Sequence, residues 1–158
     1  MNILVLCTGN SARSILLESL LNHLGDGRVT AYSAGSQPAG KVNPHSIALL
    51  SAKGHDASGF RSKSWDEFAG PDAPEMAAVI TVCGSAAKET CPIWPGAPVR
   101  AHWGVEDPAA VSDADAPAAF AEAYAILKRR AEAFLAAPVE TMDDAALTAH
   151  LNSCAAVQ

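Results

Sequence analysis

The chain opens on an uninterrupted apolar run, Ile3-Leu4-Val5-Leu6, that stops at Cys7. So short a run without polar alternation predicts a strand covered on both faces, as in a parallel sheet. After the polar loop Thr8-Gly9-Asn10-Ser11-Ala12 the period changes. Leu16, Leu17, Leu20, Leu21 and Leu24 recur at helical spacing, which predicts a helix from Arg13 to Leu24 stopped by Gly25. Val29 to Ser33 reads as a second strand, ended by Ala34-Gly35. Asn43-Pro44 pairs an N-cap with proline at the first helical position and opens a helix to about Lys53-Gly54. Ala77 to Cys83 and Val99 to Trp103 read as core strands, with the turn-rich stretch Gly84 to Pro98 between them. Pro117 to about Ala137 predicts a long helix whose Phe120, Tyr124, Leu127, Ala131 and Phe134 share one face and read as core packing. Pro138 breaks that helix, and Asp143 to Leu151 predicts a short additional one. The order of elements is that of an α/β fold with a parallel sheet.

Composition narrows the function classes. At 158 residues, with 49% hydrophobic and 18% charged residues, one compact globular domain is expected. A net charge of -6 makes the surface a poor attractor for nucleic acid or anionic lipid, so neither is expected as a partner. No apolar run approaches the roughly 20 residues that span a bilayer. The start, Met1-Asn2-Ile3-Leu4-Val5-Leu6, lacks a basic segment and a small-residue cleavage site, so no signal peptide is read there. The cysteines Cys7, Cys83, Cys91 and Cys154 then belong to a reducing cytoplasm, where thiol chemistry is more expected than structural disulfides.

The chemistry concentrates at Cys7 to Arg13. A tight loop between a buried strand and a helix turns successive backbone N–H groups inward as an anion nest, and the helix N-terminus adds partial positive charge. Thr8, Gly9, Asn10, Ser11, Ala12, Arg13 and Ser14 are the expected oxyanion-binding residues. Arg13 adds a charged fork suited to a tetrahedral oxyanion. These features favour thiolate over thiol, so the Cys7 pKa is expected to fall below about 8.5. Gly9 permits close backbone approach, Asn10 can hold the loop shape, and Ser14 is expected to donate a hydrogen bond to the Cys7 sulfur. The blander alternative is a buried core cysteine and an unrelated surface arginine. The strand before the loop, Gly9 and Asn10 inside it and Ser14 after it argue against that.

Val5-Leu6-Cys7-Thr8-Gly9-Asn10-Ser11-Ala12-Arg13-Ser14 resembles the phosphate loop of the low-molecular-weight protein tyrosine phosphatase family. Tyr32-Ser33-Ala34-Gly35, Asn43-Pro44 and His102-Trp103-Gly104-Val105-Glu106-Asp107-Pro108 fall in the same order, and together they resemble its arsenate reductase branch. The resemblance covers residues 1–137, taken as the catalytic domain, with 138–158 as a C-terminal extension. It implies a four-stranded parallel sheet flanked by helices. It also implies that Asp107 is the general acid, with Glu106 the competing carboxylate and a turn cap the simpler role for Asp107.

Two features separate reductase from phosphatase. Ala109-Ala110 follow Asp107-Pro108 and offer no aromatic wall for a phosphotyrosine ring. Cys83 ends its strand at the same sheet edge as Cys7, where open α/β sheets bind ligands. The resemblance implies a relay in which Cys7 attacks arsenate, Cys83 attacks Cys7, and Cys91 attacks Cys83, leaving a Cys83–Cys91 disulfide for thioredoxin, or for glutaredoxin with glutathione. The resemblance implies no metal or organic cofactor, and Cys83, Cys91 and His102 lack the spacing and the fourth ligand of a structural zinc site. The alternatives are a phosphatase using Cys7, Arg13 and Asp107, and a non-catalytic oxyanion-binding module, for which nucleophile and acid would be superfluous. Lys63 falls where some relatives carry an acidic residue of a potassium site formed with the counterparts of Asn10, Glu18 and Ser33, so its ammonium could occupy that place instead of the ion, the simpler alternative being a solvated surface charge. His102 and Trp103 are expected to pack beneath the acid loop, and Cys154 is expected to be incidental. Residues 84–90 contain helix formers. A helical path from Cys83 to Cys91 would span roughly 12 Å, so that stretch must loop or unwind before the two cysteines can join.

Overall fold

The computed structural model describes residues 1–84 and 94–158. Cys91 and most of the stretch expected to remodel lie outside them. The elements are β1 (Asn2–Leu6), α1 (Arg13–Gly25), β2 (Thr30–Ala34), α2 (Pro44–Ala52), β3 (Ala78–Thr81), β4 (Val99–His102), α3 (Ala116–Leu135) and α4 (Asp144–Ala155). The four strands form one parallel sheet in the order β2-β1-β3-β4. This is the α/β architecture expected from the apolar runs.

β1 lies at the centre, and its period of two sorts its side chains between two cores. Ile3, Val5 and Cys7 face the larger one, with Leu16, Leu20, Phe120, Leu127 and Phe134 of α1 and α3. Leu4 and Leu6 face the smaller one, with Phe68, Met76 and Trp94. Ile15, Leu16, Leu17, Leu20 and Leu21 are all fully buried, and Ser14 and Ser19 are buried with them, so α1 is covered on most of its sides. Asn43 caps α2 as predicted, accepting a hydrogen bond from the His45 N–H at 2.9 Å. Two boundaries differ from expectation. β3 ends at Thr81, which leaves Cys83 beyond the strand, and α4 runs on to Ala155 because Leu147, Leu151 and Cys154 are buried on one face.

The loop after β1 is shaped from outside. The carbonyls of Thr8, Gly9 and Ser11 accept hydrogen bonds from the N–H groups of Gln37, Ala39 and Asn43 at 3.0, 2.9 and 3.0 Å. Ser62 and Ser46 hydroxyls add bonds to the Gly9 and Ser11 carbonyls, both at 3.0 Å. A trans peptide points its carbonyl and the next N–H in opposite directions. The N–H groups of Gly9, Asn10 and Ala12 are therefore turned to the inner side of the loop. Gly35 lets the loop lie this close. A Cβ there would sit 2.3 Å from the Thr8 oxygen and 2.7 Å from the Cys7 oxygen.

Asn10 ties the loop down. It is buried, takes a left-handed φ of 46°, and donates to the Ser14 and Ser33 hydroxyls, each at 2.9 Å. Its Oδ1 accepts from the Lys63 N–H at 2.9 Å. Ser33 donates in turn to the Glu18 carboxylate. The Lys63 ammonium lies 3.9 Å from Glu18 and donates to the Arg61 carbonyl at 3.1 Å. Burial raises the Glu18 pKa and lowers that of Lys63, and each charge opposes the other's shift. A half-buried lysine ammonium thus lies beside the Glu18 carboxylate, to which Ser33 also donates.

Gly35→Ala must displace the loop and is expected to cost about 1–3 kcal/mol in urea unfolding. It should also abolish the rise in Tm given by phosphate; full retention of both would contradict the close packing. Exchanging sodium for potassium should leave the Tm of the protein unchanged, whereas Lys63→Met, which strands the Glu18 charge, should cost roughly 3 kcal/mol. A potassium-specific gain in the unaltered protein would show that the ammonium does not fill the cation's role.

Candidate functional site

Cys7 follows β1 directly, and residues 7–13 line one open cleft with Cys83, Gly84, Asp107 and Ala109. The sheet register explains the meeting of the sulfurs. Leu6 pairs with Thr81 in adjacent parallel strands, which run about 4.8 Å apart, so Cys7 and Cys83 emerge as near neighbours at the carboxyl edge. The two thiols are hydrogen-bonded to one another. Cys83 is buried, and its sulfur also accepts the Thr8 N–H at 3.3 Å.

Arg13 is the first residue of α1, and among the described residues no side chain caps that helix end. Its first-turn N–H groups are therefore available to an anion. Arg13 Nη1 donates to the Val105 carbonyl at 3.0 Å, and Nη2 lies 3.6 Å from Asp107 Oδ2. Its Nε is buried and finds no partner among the described residues. A buried guanidinium N–H without an acceptor is costly, and an oxyanion held in the loop would satisfy it. Asp107 does two things at once. Its Oδ1 caps the short 3-10 turn Pro108–Ala110 by accepting the Ala109 N–H at 3.0 Å, while Oδ2 faces Arg13. The turn-cap role and a place at the cleft are therefore compatible.

Three expectations are corrected. Ser14 does not reach the cleft: it is buried behind the loop, where its hydroxyl accepts from Asn10. His102 meets the expectation only in part: its ring lies against Gly104 at the start of the acid loop, but from the solvent side. It is exposed on the edge strand and bonds to the Thr81 hydroxyl at 2.7 Å, whereas Trp103 is fully buried as expected. The Cys7 pKa is raised, not lowered. Its hydrogen bond with Cys83 is the largest cause and burial the next, while Arg13 and the Gly9 N–H pull the other way. Part of the upward push is repulsion from a charged Cys83 sulfur.

Sequence reasoning also missed the Val105 carbonyl as a partner for Arg13 and the steric role of Gly35. The signal for Gly35 was its place directly after a core strand, but nothing local shows what would lie against it. Cys154 is buried in the core, and burial raises its pKa. Among the described residues no group of three or more His, Cys, Asp or Glu side chains could hold a metal ion, and no described helix is long and apolar enough to cross a membrane.

Comparison with known proteins agrees with this fold. The family model for low molecular weight phosphotyrosine protein phosphatase matches residues 2–146. An arsenate reductase of Bacillus licheniformis is 42% identical over 106 residues, covering 66% of this chain and 71% of that protein. An arsenate reductase of Halalkalibacterium halodurans is 37% identical over 125 residues, covering 78% and 82%. The solved structure of an arsenate reductase in the phosphate binding state superposes with a TM-score of 0.70 at 28% identity, over 85% of this chain and 96% of that one. The chain belongs to the low-molecular-weight phosphotyrosine protein phosphatase family, and within it stands with the arsenate reductases.

Proposed function

We propose that this protein reduces arsenate to arsenite through a relay of Cys7, Cys83 and Cys91. The observation that carries the reading is the direct contact of the Cys7 and Cys83 thiols at the mouth of an anion nest. Hydrolysis of a phosphate ester needs one nucleophilic sulfur; reduction of arsenic(V) needs two electrons, which two thiols supply.

Arsenate sits on the inward N–H groups of the loop and on Arg13, whose orphaned Nε takes one oxygen. The Cys7 thiolate attacks arsenic, and one arsenate oxygen leaves as water, with Asp107 delivering a proton. Cys83 then attacks the Cys7 sulfur. The sulfur–arsenic bond breaks, its electron pair stays on arsenic, and arsenic leaves as arsenite with a Cys7–Cys83 disulfide behind. Cys91 attacks Cys83 and releases the Cys7 thiolate. The Cys83–Cys91 disulfide then takes two electrons from an external thiol system, thioredoxin or glutaredoxin with glutathione. Ala109, the residue that lines the cleft beyond Asp107, suits a small inorganic ion better than an aryl ester.

Cys7→Ser should abolish both arsenite production and any cleavage of an aryl phosphate supplied in parallel. Cys83→Ser should abolish arsenate turnover but leave slow ester cleavage. Equal loss of both activities in the Cys83 variant would remove the relay role. Thiolate absorbance gives an independent check on the coupling, because the hydrogen bond with Cys83 and burial hold the Cys7 thiol above the ordinary range. Cys83→Ala should remove the largest upward cause and leave Cys7 to titrate alone at lower pH. Two thiolates from the pair near neutrality would contradict the coupling.

A further inference from the structure

Arg130 has no place in the chemistry above, yet it is the one charged side chain on the core face of α3. It lies among Leu127, Ala131 and Phe134 and is only 3% exposed. Among the described residues no carboxylate pairs with it. Burying an unpaired guanidinium is expensive, and an unbranched apolar side chain would fill the position without that cost. What Arg130 does instead is join two separate backbone segments. Its Nε donates to the Val157 carbonyl at 2.8 Å and its Nη1 to the Gly104 carbonyl at 3.1 Å.

Gly104 begins the stretch that ends at Asp107, and each backbone group around it is held by a different part of the molecule. The Gly104 carbonyl accepts from Arg130, and the Val105 N–H, on the opposite side of the same peptide, donates to the Val82 carbonyl at 3.3 Å. The Val105 carbonyl accepts from Arg13 at 3.0 Å. One residue earlier, the Trp103 indole N–H donates to the Leu151 carbonyl of α4 at 2.9 Å. Beyond this stem the loop is not packed solidly: a cavity of about 360 Å³ lies between residues 104–108 and the α3 face that carries Ala119, Ala123 and Arg130. Arg130 is among the residues that line that cavity.

We infer that Arg130 is a positioning residue for the reaction, a strut that ties the Asp107 loop to the segment after α4 and so makes residues 144–157 part of the catalytic apparatus. The inference rests on the reading of Asp107 as the proton donor. A loop backed by a cavity drifts when its strut is cut, and a misplacement of about 1 Å at a reacting group can cost a hundredfold in rate. Oxyanion binding should be largely spared, because the loop N–H groups are positioned from β1 and Gly35 and Arg13 is rooted on α1, its bond to the Val105 carbonyl being the one contact that moves with the strut.

The test uses the reduced full-length protein in single turnover with arsenate, scoring arsenite released, with the phosphate-induced rise in Tm as a separate measure of oxyanion binding. Asp107→Asn should slow release by about a hundredfold or more. Arg130→Met should slow it by about tenfold or more while keeping the phosphate effect on Tm. In the Asp107→Asn background the same change should add less than about twofold, because two residues acting through one step are non-additive. Arg130→Lys, which keeps the charge but reaches one carbonyl only, should recover part of the rate; it carries the same comparison if the methionine variant does not fold. Full additivity in the double variant, or loss of the phosphate effect in step with the rate, would overturn the strut. An Asp107→Asn variant with unaltered release would instead overturn the proton-donor reading beneath it.

Discussion

The carbonyl of a trans peptide and the N–H that follows it cannot point the same way, and the oxyanion loop depends on that constraint. Segments 35–46 and 62–63 bond the outer side of residues 8–11, and the inner side becomes a ring of donors as a consequence. Three further features serve the same end. Gly35 removes the Cβ that would hold the loop away, Asn10 accepts a left-handed backbone, and the Glu18–Lys63 pair balances charge beneath the loop. The anion site is thus built largely by residues that never touch the anion.

The same sheet edge sets a conflict at the sulfurs. Inward N–H groups, Arg13 and the start of α1 favour a charged nucleophile, whereas burial and the Cys83 contact oppose charge. The two thiols nevertheless stand together at the cleft. For a single-sulfur hydrolase the Cys83 contact would only burden the nucleophile. For a two-electron reduction it places the second sulfur where the first disulfide must form. Arg130 raises a similar question on the far side of the acid loop, where a buried charge is tolerated at a position that suits an apolar side chain.

Local pattern carried much of this. Ile3 to Leu6 read as a doubly covered strand because each residue is apolar, and the Asn43-Pro44 cap is a short-range signal. The loop from Cys7 to Arg13 was legible because strand, glycine, asparagine and helix follow one another without interruption. What escaped depended on distant partners. The rise in the Cys7 pKa comes from Cys83 in the next strand, and Ser14 turned to Asn10 because that side chain lies buried beneath the loop. His102 reads as packing and does lie against Gly104, but the edge position of β4 leaves it exposed. The last turn of α4 was hidden by Asn152 and Ser153, which are exposed between the buried Leu151 and Cys154. Arg130 did carry a local signal, a charge in register with Leu127 and Phe134, but its two carbonyl partners lie far along the chain.

The central claim is that Cys7 and Cys83 together deliver the two electrons. Its most direct measurement is a single turnover of the reduced Cys91→Ser variant with excess arsenate and no external thiol, followed by mass mapping of disulfides. The account predicts one arsenite released per chain and a trapped Cys7–Cys83 disulfide. Absence of arsenite, or a disulfide that omits Cys7 or Cys83, would contradict it.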